Sequence, residues 1–261
     1  MERTLAPANV LTRALAWRSL GLEIRCEFLR LLRTPSFAVP TLLFPLLFYT
    51  LFGVMLGHGG KEGYEAPRYL LASYCVFGVM SPGLFGFGVV VALERERGLL
   101  RLKRALPMPP QNYLLAKLAM AVLFALAIFV ALSALAAGLG GVRLAPGQWL
   151  LLGLTSALGV LPFCALGLLV GTRVGGQGAP AIINLIYLPM AFLAGVAIPL
   201  FALPPVVRGL APLWPAYHLN QLAHAAIGQP AAGTVGLHLG VLAVFAAVCF
   251  AIARRRLARA D

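Results

Sequence analysis

"ALERERGLLRLKRALPMPP", residues 92–110, is the most charged stretch in a chain that otherwise avoids charge. It holds two of the eight acidic residues and five of the twenty-one basic ones. Apolar runs flank it on both sides. Working outward, the uncharged runs are 36–57, 69–93, 118–142, 144–172, 174–207 and 209–253, in a chain that is 61% hydrophobic and only 11% charged. Soluble domains carry about 25% charged residues, and a soluble fold of 261 residues could not hide this much apolar surface. Each run meets or exceeds the roughly 20 residues that a helix needs to cross a bilayer. The reading is an all-α integral membrane protein.

The last run, of 45 residues, is too long for one crossing, and Gly228-Gln-Pro230 interrupts it. Six spans are expected, at about 36–57, 69–93, 118–142, 147–171, 180–202 and 233–253, in a single transmembrane domain covering 1–261. Lysine and arginine placement sets the orientation. With six spans, the N-terminal segment, the 94–117 loop, the Arg173 loop and the C-terminal segment share one side, with six, six, one and four basic residues. The other side has Lys61, Arg68, Arg143 and Arg208. Both termini are therefore expected in the cytoplasm, and the chain in a bacterial inner (plasma) membrane. The net charge of +13 lies in short loops beside apolar segments rather than on a foldable basic domain, so no nucleic acid partner is expected.

Residues 11–33 precede the first span. Leu11, Leu15, Leu22, Cys26 and Leu29 fall on one helical stripe, with Arg13, Glu23, Glu27 and Arg30 off it, and Pro35 closes the run. This reads as an amphipathic helix lying along the membrane interface, with Leu15, Leu22, Arg25, Leu29 and Arg30 as its working residues and lipid as its partner. Arg25 or Arg30 is expected to pair with the acidic edge of segment 94–96. The plainer reading is an extension whose arginines only enforce topology.

Several chemistries fall away. No G-x-x-x-x-G-K-[ST] occurs, so the chain has no ATP-binding motor of its own. The acidic residues lie in loops or at span edges, which argues against a carboxylate proton relay. There is no G-x-S-x-G, H-E-x-x-H or C-x-x-C, so no catalytic or metal-ligating residues are expected. Cys26, Cys75, Cys164 and Cys249 suggest no structural disulfide.

With these features in view, the loop 94–112 takes on meaning. Glu94-Arg-Glu-Arg-Gly98 leads into the helix-forming run 99–105, then Pro107, Pro109 and Pro110, then Asn112-Tyr113 and Lys117. The order closely resembles the first cytoplasmic loop of ABC-2 type transporter permeases. Span one carries Pro45-Leu-Leu-Phe-Tyr-x-Leu-Phe-Gly53, and "LPPVVRGLAPLWPAYHLNQL" (203–222) follows span five. The resemblance implies a permease that forms a homodimer and works with two copies of a separate ATP-binding cassette subunit. That subunit would hold the ATP and magnesium, with no cofactor in this chain. It also implies that Glu94, Glu96, Arg97, Gly98, Leu99, Arg101 and Leu102 couple the permease to its ATPase. Independently, a short helix with both charge signs and an apolar edge suits a groove on a soluble partner. The plainer reading is a loop whose charges only hold it inside.

Aromatic residues collect in spans one, two and five. Phe44, Phe48, Tyr49, Phe52, Phe77, Tyr187 and Phe192, with Tyr74, Phe85 and Phe87, line a path for an amphipathic substrate or else pack between helices and lipid. The resemblance favours export of an amphipathic small molecule, drug or lipid-linked substrate out of the cytoplasm or inner leaflet. The alternatives are a polysaccharide or glycolipid permease, a lipid-modifying membrane enzyme, and a non-transporting assembly subunit. Glycine pairs four apart, Gly53/Gly57, Gly167/Gly171 and Gly236/Gly240, permit close helix approach.

Segment 204–230 is the remaining puzzle. Pro212, Pro215, His218, Asn220, Gln221 and His224 do not suit lipid-facing hydrocarbon, and a seventh crossing would carry the C-terminal arginines outside. A re-entrant helix from about Pro215 to residue 227 is expected on the extracytoplasmic side. Pro215, His218, Asn220, Gln221 and His224 would form an exit gate, or else cap and pack that helix.

Overall fold

The helices follow the apolar runs, with informative shifts at their ends. The structure, a computed structural model, describes residues 8–55, 65–99, 102 and 110–259; for 8–16, 110, 111 and 257–259 it gives the backbone alone. All regular elements among these residues are helical. Helix α1 is Ala8–Leu32; α2 is Pro35–Met55, α-helical to Phe48 and then π-helical; α3 is Ala66–Glu96, with a π-helical middle at Pro82–Val89. Helix α4 is Pro110–Gly138, α5 Pro146–Gly171 and α6 Ala179–Leu193. After them come short α7 Pro205–Leu210, then α8 Pro215–Ala226 and α9 Val235–Arg259. Five of these, α2, α3, α4, α5 and α9, are long and apolar enough to cross a membrane.

The fifth expected span is shortened. Helix α6 has 15 residues, about 22 Å at 1.5 Å per residue, and ends at Leu193 rather than near residue 202. The break has a local cause. Gly195 takes φ +75°, and a Cβ there would sit 2.3 Å from Leu200 Cγ, so the chain leaves the helix at a residue where only glycine fits. Backbone freed at membrane depth must find partners inside the protein. Here it does. Asn220 Nδ2 donates to the Gly195 carbonyl at 3.1 Å, and Tyr74 Oη to the Ala197 carbonyl at 3.2 Å.

Helix α3 is the centre of the bundle. Every residue from Leu70 to Met80 is buried, with α2, α4, α5 and α8 packed around it. Its π-helical middle meets α5 backbone to backbone. A Cβ on Gly167 would sit 2.6 Å from the Gly83 carbonyl oxygen, and one on Gly171 the same distance from that of Gly88. The Gly167/Gly171 pair is thus a contact surface. Gly236 and Gly240 on α9 face open space instead, and Gly53 lies against the ring of Tyr49 on its own helix. Gly57 lies outside the described residues.

Helix α1 packs on α4, where Leu31, Val90, Met120 and Phe124 form a small core of their own with Phe28 and Phe37 against it. Its buried face is not the leucine stripe. Leu22 is 62% exposed and Cys26 is exposed, while Glu27 is buried and Ile24 and Phe28 half-buried. Leu29 is half-buried, Arg25 is exposed, and the side chains of Leu11 and Leu15 lie outside the described residues. The reason that Glu27 can face inward lies ninety residues away, on α4.

Candidate functional site

The charged stretch begins as helix rather than loop. Residues 92–96 complete the last turn of α3, and α4 begins at Pro110, where the proline ring suits the first helical turn. The described part of the loop therefore narrows to 97–99 and residue 102, and Arg101 lies outside the described residues. Gly98, at φ +71°, ends α3: its N–H reaches the Arg95 carbonyl at 3.1 Å, and Leu99 and Leu102 are helical again beyond it. Leu102 is 62% exposed and Leu99 half-buried.

Glu94 points into the protein and Glu96 to its edge. Glu94 is 3% exposed, as is Glu27, and Lys117 is 0% exposed. Lys117 Nζ lies 3.2 Å from Glu27 Oε2 and 3.1 Å from Glu94 Oε2. Tyr113 Oη donates to Glu94 Oε2 at 2.5 Å, and Arg30 donates to Glu94 Oε1 at 2.6 Å while lying 3.5 Å from Glu27. Two carboxylates and two cations from α1, α3 and α4 thus form one charge-balanced cluster. Burial works against the Arg30 charge, but Glu27 and Glu94 outweigh it and raise its pKa above the ordinary guanidinium value. The expected pairing of α1 with the acidic edge of 94–96 is present through Arg30. Beside it, Asn112 Nδ2 donates to Ser19 Oγ at 3.1 Å, a second α4–α1 tie.

The other two charges of the motif grip the connection after α5. Arg95 donates to the carbonyls of Thr172 and Val174, the latter at 2.9 Å, and the Gly176 N–H donates to Glu96 Oε2. A Cβ on Gly176 would sit 3.0 Å from Leu93 Cα, so glycine lets this connection close on α3. Arg97 is exposed at the outer rim. Sequence reasoning missed Glu27, Arg95, Tyr113, Lys117, Thr172 and Gly176. The available signal was Lys117 itself, an isolated cation entering an apolar run.

The aromatic residues divide. Tyr49, Tyr74, Phe77, Phe87 and Tyr187 are core residues, while Phe44, Phe48, Phe52 and Phe192 are exposed. They join into a chain of ring contacts from Phe44 through Phe48 to Phe52, with Phe48 to Phe77 at 5.8 Å, Phe77 to Tyr187 at 5.2 Å and Phe85 to Tyr187 at 5.6 Å. The structure gives Phe87 and Phe192 no ring contact with this chain among the described residues.

At the far end of the bundle, α8 starts at Pro215 and its polar side chains are engaged within the protein. His218 meets His238 at 2.8 Å and the Pro212 carbonyl at 2.9 Å, and Gln221 accepts the Ala232 N–H at 2.8 Å. His224 meets Ser73 Oγ at 3.2 Å and lies against Tyr69, and burial pushes its pKa down to about 4. Arg68 and Gln148 both donate to the Ile227 carbonyl, at 2.6 and 3.0 Å, closing the C-terminus of α8. In the sequence, His238 stands out only as a catalytic candidate for the lipid-modifying alternative, not as a partner of His218.

Two comparisons bear on identity. The family model described as "ABC-2 type transporter" matches residues 19–227, from within α1 to the end of α8. The putative transport permease YvfS of Bacillus subtilis (strain 168) is 29% identical over 195 residues, which is 74% of this chain and 79% of that protein. The matched region holds the whole charged cluster, the glycine seam and α8. The chain belongs to the ABC-2 type transporter family, as a multi-pass membrane permease subunit without an ATPase domain of its own.

Proposed function

We propose that the protein moves an amphipathic small molecule, drug or lipid-linked substrate out of the cytoplasm or inner leaflet, as a homodimer driven by two ATP-binding cassette subunits docked on Leu99, Leu102 and the loop around them. ABC-2 permeases work with ATP-binding cassette subunits. One observation carries the coupling part of the reading. The segment before this loop is bonded at once to α1, to α4 and to the connection after α5. A push delivered where the loop joins α3 therefore reaches α1, α4 and the connection after α5 through direct hydrogen bonds. The ring chain from Phe44 to Tyr187 supports an amphipathic substrate, because a run of aromatic side chains, exposed at Phe44, Phe48 and Phe52, offers apolar surface to molecules of varied shape.

Changing Leu99 and Leu102 together to Asp puts charge into an apolar docking groove. The expected cost is about 2 kcal/mol of association, roughly 30-fold in affinity for the ATPase subunit. Membrane insertion should persist, since Leu102 is exposed and lies in the loop beyond the end of α3. Co-purification and transport assays check it, and normal binding and transport by the double variant would reduce the loop to a topology signal.

The same reading places both termini in the cytoplasm and α8 as a re-entrant helix on the opposite side. Single cysteines at Leu213 and Ala232 test this. Ala211 is fully buried and would not report, whereas Leu213 is 77% exposed. In a background free of native cysteines, both positions are expected to react with an impermeant thiol reagent from outside. Reaction of Ala232→Cys from the cytoplasmic side alone would mean that α8 crosses.

A further inference from the structure

His218 on α8 and His238 on α9 face each other through their Nδ1 atoms, 2.8 Å apart, with ring centroids at 5.1 Å. Both rings are buried, at 6% and 3% exposure. Their other nitrogens are also engaged. His218 Nε2 lies 2.9 Å from the Pro212 carbonyl oxygen, and His238 Nε2 lies 2.5 Å from that of Ala232. A carbonyl oxygen only accepts, so each Nε2 must carry its hydrogen. A ring with hydrogen on Nε2 is neutral only when Nδ1 is bare. Two neutral rings would thus press two lone pairs together at hydrogen-bond distance. Two doubly protonated rings would press two N–H groups and two positive charges together. With one proton between the Nδ1 atoms, all of these contacts are satisfied.

We propose that His218 and His238 form a single-proton binding site that ties the re-entrant helix α8 to α9, closed with one proton bound and loosened by its loss or by the gain of a second. The surrounding chain is shaped for this meeting. Gly233, at φ +83°, brings the connection round so close that a Cβ would lie 3.4 Å from His238 Nε2. Gln221 holds the Ala232 N–H, which fixes the carbonyl that His238 uses.

The neighbouring titratable groups leave the pair to itself. Tyr217 packs edge-on against both rings, and burial raises its phenol, so it stays neutral. From α3, Tyr69 and Ser73 address His224 and Arg68 addresses Ile227; from α5, Gln148 addresses Ile227. The turn Ala211–Leu213 brings only the Pro212 carbonyl to His218. Burial lowers the His218 pKa, the Pro212 carbonyl works against that, and His238 adds to the lowering. The pair takes up protons as a unit. Loss of the shared proton as pH rises sets two lone pairs against each other, and gain of a second as pH falls sets two N–H groups against each other, so the tie is lost on both sides.

The test uses the full chain with ¹⁵N-histidine in lipid nanodiscs. Near neutral pH, the pair is expected to show both Nε2 atoms protonated and a coupling across one shared Nδ1–H–Nδ1 hydrogen. The signature should vanish in His238→Gln and persist in His224→Gln. Two neutral rings with one N–H each and no coupling would overturn the proposal in the native chain, whatever the variants do. Hydrogen exchange at the Ala232 amide gives an independent reading. Its protection, corrected for intrinsic exchange, is expected to fall about tenfold on either side of the window in the native chain. A flat profile across both limbs would count equally against the site.

Discussion

Lys117→Met is expected to destabilise the protein by about 3–5 kcal/mol, the usual cost of removing one partner from a buried ion pair. The methionine fills nearly the same space, so the loss is electrostatic. Without Lys117, Glu27 and Glu94 remain buried beside Arg30, the cation that faces both and whose side chain is 44% exposed. Thermal or denaturant unfolding of the chain in nanodiscs measures the effect. A discriminating partner experiment is Lys117→Met with Glu94→Gln, which leaves Glu27 opposite Arg30 and restores neutrality. The double variant is expected to recover part of the loss. A harmless Lys117→Met would mean that the cluster contributes nothing to holding α1, α3 and α4 together.

Gly167→Val is expected to cost about 3 kcal/mol, at the upper end for overpacking. The atoms that a Cβ at Gly167 would meet are the Gly83 and Leu84 carbonyl oxygens and the Gly88 nitrogen, all of them backbone, and none can rotate aside. The helices must separate or the π-helical turn must rearrange. Gly240→Val on α9 is the control, since nothing lies within 4 Å of its Cβ position. That variant should change unfolding by less than about 0.5 kcal/mol, as surface substitutions do. Equal effects at the two positions would deny the α3–α5 seam its role.

The bundle was largely readable because a bilayer demands long uncharged helices, and charges mark their ends. Where the reading slipped, the cause was a partner distant in sequence. The uncharged run led to a span beginning after Lys117, yet α4 starts at Pro110, since Lys117 is neutralised by Glu27 and Glu94 and so does not end the helix. Leucine spacing set Glu27 outside α1's apolar stripe, and burial follows from a lysine on α4. The apolar run 174–207 gave no sign of the break at Gly195, which depends on Asn220 twenty-five residues later. The pairing of His238 with His218 was not legible, because the two rings sit on different helices across a turn. Of the loop, the inward role of Glu94 was legible from its pairing with α1. Arg95 and Glu96 were not, because their partners are main-chain groups, which any sequence supplies.

The packing of α1 on α4 also bears on how the chain is made. A ribosome delivers Glu27, Arg30 and Glu94 long before Lys117, so a nascent chain ending short of residue 117 carries one carboxylate more than its cluster can balance. Helix α1 is translated before the spans, yet its main docking surface is on the third of them, with a smaller contact on the first. It must wait at the membrane surface through the synthesis of some eighty residues after Leu32 before it can settle. The helix that precedes the spans is therefore translated before them and among the last of this end to be fixed in place.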